Sequence, residues 1–255
     1  RLGAEVLENI DIYFGWGVRS SQIVKDSGLL NSENIITTGE PKFDLLHRNQ
    51  RVFFEEEVLK IRKKYKDFVL INTNFGRVNH FDEKIHQNLM NSDQISRLKK
   101  PGKHALNKDT QQAILESFIK AVKKLSSQNK SINFVLRHHP SESKEIYEDA
   151  FKEFENVYVV HEGSVFPWLI ASKCLIHNNC STAVEAMFLE KPVIAYIPVE
   201  DENFENIIPN KISTQAKSIE ELQDLLVQAL SGENIAQFSK LEPEVKALVK
   251  KYFFN

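Results

Sequence analysis

Long apolar runs are missing from this chain. Nothing in its 255 residues approaches the ~18 consecutive apolar residues that a membrane-spanning helix needs, and no basic stretch followed by a short apolar core marks a secretion signal. Cysteine is scarce: Cys174 and Cys180 are the two present. Their spacing suits neither a disulfide framework nor a zinc site, which suggests a reducing, cytoplasmic setting. An excess of one charge is also missing. The formal net charge of −2 gives no broad basic field, so nucleic acid is not an expected partner. The glycines never fall into G-x-G-x-x-G or G-x-x-x-x-G-K-[ST], which argues against a dinucleotide cofactor or a P-loop triphosphate. No D-x-D pair occurs either. Asp201-Glu202 lies in a loop with no pairing that suggests a metal, and neither a metal nor any other cofactor is expected.

What is present is 42% hydrophobic residues, enough for a sizeable core in one large or two modest domains. Continuous apolar runs read as strands buried on both faces: 68–72 (FVLIN), 132–136 (INFVL), 157–160 (VYVV), 175–176 and 192–196. Between them lie helical patterns, including 51–65, with Val52, Phe53, Val58, Leu59 and Ile61 on its apolar side, 108–128 and 143–154. Residues 82–106 read as partly helical, 198–211 as an irregular acidic loop, and 234–239 and 243–253 as closing helices. Ser218-x-x-Glu221 reads as a capping box. The alternation from residue 67 onward is β, α, β, α, which specifies a doubly wound parallel sheet. Residues 10–14, 18–26 and 34–38 form a smaller strand–helix–strand opening. Too small to cover both faces of a sheet, it reads as the tail of a larger domain. The first residue is Arg, which adds the expectation that the natural start lies upstream.

The chain is organised around CLIHNNCSTAVEAMFLEKPVIAY, from Cys174 to Tyr196: strand, polar loop, helix, strand. Asn178, Asn179, Cys180, Ser181 and Thr182 are small residues where a buried strand opens into a helix. Helix N-termini carry unpaired N–H groups and partial positive charge, so a phosphate fits there, and Glu185 one turn in suits ribose hydroxyls. Thr182-x-x-Glu185 also fits a capping box that needs no ligand; the stretch alone leaves both readings open. Three more strand ends carry polar groups: 73–80 (TNFGRVNH), 137–142 (RHHPSE) and 161–164 (HEGS). Open α/β sheets bind ligands beyond the carboxyl ends of their strands, and four such turns on one rim predict a ligand crevice.

Several of these segments are also familiar as a set. TTGEPKFDLL resembles the interdomain stretch of GT-B glycosyltransferases and sugar-nucleotide epimerases. LINTNFGRVNHF, FVLRHHPSES, VVHEGSVFPWLIASKCLIHNNCSTAVEA and EKPVIAYIP together resemble the bacterial surface carbohydrate biosynthesis proteins, GT-B glycosyltransferases of capsule and lipopolysaccharide assembly. The H-P and S-T-x-x-E-A elements are similar to those of capsular Kdo transferases, polysialyltransferases and glycerophosphotransferases of wall teichoic acid, which use CMP- or CDP-linked donors. The resemblance implies a GT-B-like α/β fold: residues 1–45 as the end of an acceptor-side N-terminal Rossmann-like domain with its hinge, 46–240 as the donor-binding Rossmann-type domain, and 241–255 as a C-terminal helix. It implies that His139, with Arg137, meets donor phosphate or carboxylate. Asn179, Ser181 and Thr182 would surround the phosphate and Glu185 the ribose. Glu162, Gly163 and Ser164 would line the base pocket, and Asn74 and Gly76 would face the interdomain cleft.

The implied reaction is transfer of a sugar from a nucleotide-sugar donor, with a CMP-linked one favoured by analogy, to a glycan or lipid-linked acceptor. The implied location is the cytoplasm, including peripheral association with the inner face of the membrane. The helix N–H groups, His139 and Arg137 would stabilise charge on the leaving phosphate. No general base is legible. A sugar-nucleotide 2-epimerase shares the fold but would need acidic cleft residues that the sequence does not offer. A non-catalytic nucleotide-sugar-binding domain and a structural partner of a capsule complex are the remaining alternatives.

Overall fold

The computed structural model describes residues 9–91, 108–199, 204, 208–232, 238 and 243–253. The chain divides into two units, residues 1–52 with 241–255, and residues 53–240. Apart from Phe238, the expected helix at 234–239 lies outside the described residues, as does the end of the one expected at 82–106.

In the first unit, β1 (Tyr13–Gly15) and β2 (Ile35–Thr37) pair in parallel, with Tyr13 opposite Ile35. Helix α1 (Val18–Ser27) connects them and stops at Gly28, whose φ of 66° is the left-handed C-cap that glycine adopts without strain. The C-terminal helix, Pro243–Phe253, belongs to this unit. Phe253 packs edge-on against Phe43 and its carbonyl accepts the Glu40 N–H.

In the second unit, α2 (Glu55–Tyr65) has Glu55, Glu56 and Glu57 in its first turn and Arg62, Lys63 and Lys64 in its last. That distribution complements the helix dipole at both ends. It buries Val58, Ile61 and Tyr65. Val52, Phe53 and Leu59, expected on the same face, are exposed. At about 100° per residue, Leu59 points well away from the face shared by Val58, Ile61 and Tyr65, and residues 48–54 turn with the tighter 3-10 pitch.

The remaining elements are β3 (Phe68–Asn72), α3 (Glu83–Asn91), α4 (Lys108–Gln128), β4 (Asn133–Arg137), α5 (Glu145–Phe151), β5 (Val157–Val160), α6 (Val165–Ala171), β6 (Cys174–His177), α7 (Thr182–Phe188), β7 (Val193–Tyr196), α8 (Ile208–Lys211), β8 (Thr214–Ala216) and α9 (Ile219–Ser231). The strands form one parallel sheet in the order β5-β4-β3-β6-β7-β8. Both α8 and β8 fall where an irregular loop and its exit were expected. The Thr-Gln-Ala strand carries no apolar run to announce it, and its pairing with β7 makes it a strand.

Alternation sorts the side chains onto two faces. Val69, Ile71, Phe134, Leu136, Cys174 and Ile176 join one core with Phe118, Val122 and Leu125 of α4 and Leu222 and Leu226 of α9. Fully burying each such side chain contributes roughly 1.5–3 kcal/mol. On the other face Phe68 packs against Tyr65 and Trp168. At Ser218, Oγ accepts the Glu221 N–H, while the Glu221 carboxylate reaches the N–H of Lys217. Among the described residues no helix is long and apolar enough to cross a membrane.

Candidate functional site

The chain runs β3, β4, β5 to one side of the sheet, then returns to place β6 beside β3 and continues to β7 and β8. The switch in direction therefore lies between β3 and β6, where an open α/β sheet leaves a crevice beyond its carboxyl ends. Three strands finish there on a polar residue. Asn72 is in register with Arg137 on one side and His177 on the other, so the three form a row on one face of the sheet. Each one fixes a different loop.

Arg137 Nη1 donates to the Glu162 carbonyl at 2.5 Å and Nη2 to the Gly163 carbonyl at 3.0 Å. Its guanidinium lies 5.0 Å from the Trp168 ring, and Trp168 Nε1 donates to the same Glu162 carbonyl. Burial pushes the Arg137 pKa down to about 10, which leaves it charged at neutral pH. Asn72 Nδ2 donates to Thr182 Oγ1 at 2.8 Å. His177 Nδ1 accepts the Cys180 N–H, which leaves its proton on Nε2, donated to Ser213 Oγ at 2.9 Å.

The loops after β3, β4 and β6 are tied to each other as well. Asn74 gives its N–H to Asn178 Oδ1 and its Nδ2 to the Asn179 carbonyl. Asn179 takes a φ of 51°, which asparagine tolerates better than most residues, and its N–H goes to Oδ1 of the fully buried Asn210. The buried Glu142 carboxylate accepts from Thr73 Oγ1 at 2.8 Å, the Phe75 N–H at 2.7 Å and Tyr147 Oη at 2.5 Å. Gly76 allows its loop to lie against Ser141: a Cβ there would stand 2.1 Å from Ser141 Oγ.

These loops enclose a cavity of about 270 Å³ lined by Asn72, Thr73, Arg137, His138, His139, Pro140, His161, Gly163, Val165, Cys180, Ser181 and Thr182. None of these lining residues is a carboxylate. The histidine protons can be assigned from fixed partners. His139 Nδ1 accepts the Ser141 N–H, so the neutral ring carries its proton on Nε2. His138 and His161 each donate Nδ1–H to a carbonyl, that of His139 and that of His138 respectively, and their rings stack 4.9 Å apart. The Cys180 thiol, buried at the cavity wall, is pushed up by desolvation. Among the described residues no three His, Cys, Asp or Glu side chains gather as a metal site.

Of the residues singled out in the sequence, Arg137, His139, Gly163, Ser181 and Thr182 line this one cavity. Gly163, with a φ of 59°, has nothing within 4 Å of a notional Cβ and so borders open space. Asn74, Gly76 and Asn179 build the loops instead. Glu162 contributes its carbonyl, and Ser164 caps α6 through the Phe166 N–H. Glu185 is buried in α7 and does not line the cavity. The Thr182-x-x-Glu185 capping box does not form. Ser181 holds the N-cap position without a side-chain cap bond, so Thr182 is already the first helical residue. The Thr182 hydroxyl donates to Cys180 Sγ instead. Sequence reasoning did not single out Asn72, Glu142, His177 or Asn210. The first and third were signalled by a polar residue closing an apolar strand; the other two act through partners distant in sequence.

Burial lowers the His177 pKa from the ordinary 6.5 to about 3. The unfolded chain takes up a proton below pH 6.5 that the folded chain refuses until about pH 3. This contribution is therefore intact above pH 6.5 and falls by about 1.4 kcal/mol per pH unit below it. Between pH 7 and pH 5 the wild type should lose ~2 kcal/mol of unfolding free energy more than His177→Gln loses. Urea titrations at both pH values read the difference, and parallel losses in the two proteins would refute this role.

Among solved structures, a variant of the wall teichoic acid polymerase TagF matches 99% of this chain and 56% of its own, with TM-score 0.61 and 13% identity. Another variant of TagF, soaked with CDPG, matches 98% of this chain and 53% of its own, with TM-score 0.57 and 14% identity. The UDP-GlcNAc 2-epimerase from Neisseria meningitidis, bound to UDP-GlcNAc, matches 94% and 60%, with TM-score 0.51 and 13% identity. The likeness is one of fold. The chain has the GT-B-like, Rossmann-type α/β architecture. It spans less than two thirds of the length of each of these structures. No family model matches the chain, and no curated protein matches it by sequence.

Proposed function

We propose that the cavity at the β3/β6 switch point holds the phosphate of a nucleotide-linked donor, and that the protein transfers the linked group, a sugar, to a surface glycan such as capsule or lipopolysaccharide. The observation that carries this reading is the lining itself: one guanidinium, three imidazoles and three hydroxyl residues converge at strand ends, and no carboxylate is among them. His139 Nε2–H and the Ser181 hydroxyl donate to phosphate oxygens. Buried Arg137 supplies positive potential behind them, where low dielectric strengthens it. Charge that develops on the departing nucleotide phosphate meets the same donors, which is the electrostatic assistance that group transfer from such a donor needs. The fold neighbours solved with CDPG and with UDP-GlcNAc lend support to a nucleotide-linked ligand, and the H-P and S-T-x-x-E-A resemblance favours a cytidine nucleotide.

Calorimetric titration with CMP, CDP, UDP and GDP tests the binding claim. His139→Ala should weaken the preferred nucleotide about tenfold, the worth of one hydrogen bond to a charged group, and Ser181→Ala should weaken it less. Unchanged affinity in both variants contradicts the phosphate site. The epimerase neighbour keeps a second reading open for test: conversion of UDP-GlcNAc to its 2-epimer, with no transfer, would favour it. Tight nucleotide binding with neither reaction would leave a donor-binding unit without turnover.

A further inference from the structure

The proposal below rests on the nucleotide reading and extends it to what the cavity recognises beside the phosphate. Asn72 lines the cavity and is only 3% exposed. Its Oδ1 is buried and has no hydrogen-bond partner. The orientation of its amide follows from its neighbour. The Thr182 hydroxyl proton is committed to Cys180 Sγ at 3.1 Å, so Thr182 Oγ1 is the acceptor and Asn72 Nδ2 the donor in the 2.8 Å bond between them. The unpaired end of the amide is therefore the carbonyl. A buried acceptor left without a partner costs about 1–3 kcal/mol, and a cavity wall is where a ligand can remove that cost. Asn72 also sits in the middle of the polar row, between Arg137 and His177, with the anion donors of His139 and Ser181 on the loops to either side.

We propose that Asn72 is a specificity-determining residue whose Oδ1 accepts a hydrogen bond from a hydroxyl on the alcohol part of the bound phosphate ester. The site then takes an anion on the loops and a hydroxyl donor at the sheet, which a polyol, sugar or ribose ester supplies and a bare phosphate does not. The hydroxyl has two sources with the same chemistry, the ribose and the transferred group, and the ligands below separate them.

The experiment compares CDP, 2′,3′-dideoxy-CDP and CDP-glycerol on wild type and Asn72→Ala by calorimetry. If the ribose is read, wild type prefers CDP to its dideoxy analogue about five- to tenfold, as one hydrogen bond is worth, and the variant loses that preference, any weakening from the lost Thr182 bond being common to all three ligands. If the transferred group is read, the gap between CDP-glycerol and CDP closes instead. Retained binding of the poorer ligand also reports that the variant is folded; should Ala not fold, Asn72→Leu, nearer in shape, carries the same comparison. Gaps that survive the substitution, with or without a parallel loss for all three ligands, overturn the proposal while leaving the phosphate site standing. A wild type that binds none of the three, nor CMP, UDP or GDP, overturns the nucleotide reading and this proposal with it.

Discussion

Glu142→Ala is expected to lower the unfolding free energy by about 3–5 kcal/mol and to abolish nucleotide binding at concentrations that saturate the wild type. Glu142 is 2% exposed. Its carboxylate collects the Thr73 hydroxyl, the Phe75 N–H, the Tyr147 hydroxyl and, at 3.4 Å, the His139 N–H, and truncation strands these donors inside the protein. Burial, and then the Glu142 charge, push the Tyr147 pKa well up, so the phenol stays protonated and keeps donating. The same carboxylate holds the loop after β3 against the loop after β4, and both line the cavity. Stability and binding therefore fall together. Glu142→Gln should fall in between, because an amide oxygen still accepts the Phe75 N–H while the hydroxyls can rotate to accept from its NH₂. Urea unfolding with calorimetry on the same samples reads both quantities. A Glu142→Ala protein within about 1 kcal/mol of wild type would show that the cluster does not hold the loops.

The second large effect belongs to Arg137. Arg137→Met should cost about 2–4 kcal/mol of stability and more than tenfold in nucleotide affinity, and Arg137→Lys should recover little of either. The reason is geometric. Two nitrogens of a planar fork meet two successive carbonyls, Glu162 and Gly163, while the same plane lies by Trp168. A lysine ammonium is a point donor that serves one carbonyl and loses the flat contact. The charge matters separately, because the arginine bonds run to neutral carbonyls and its positive potential remains for a ligand anion. Thermal unfolding and titration of the three proteins check this. Lysine matching arginine in both measurements would reduce the residue to a simple positive charge.

Much of this site was legible in the chain, because a strand buried on both faces has to be apolar and a polar residue at its end has to have a purpose. FVLIN, FVLR and CLIH each run apolar into one polar group, and those groups, Asn72, Arg137 and His177, come to lie in register. The position of the crevice followed from the same pattern, since the carboxyl ends of parallel strands share an edge. Partners distant in sequence were not legible. Glu142 reads as an acid in a polar turn, and only the fold brings Thr73 and Phe75 to it. Asn210 lay in a stretch read as irregular, yet it fixes the backbone of Asn179. The apolar residues of 51–65 do not share one face: Leu59 follows Val58 by about 100° around the helix, away from the side that Ile61 and Tyr65 occupy. Glu185 reads as a ribose ligand because it stands one turn into a helix that opens at the phosphate loop; the helix begins at Thr182, and the Glu185 side chain is buried in the protein.

The place where an anion sits decides the function of this cavity. A crystal of this protein grown with CDP gives the most direct answer. The expected electron density places a phosphate within hydrogen-bond distance of His139 Nε2 and the Ser181 hydroxyl, between the loops that follow β4 and β6. CDP bound at any other place on the chain, with this cavity holding only solvent, would contradict it.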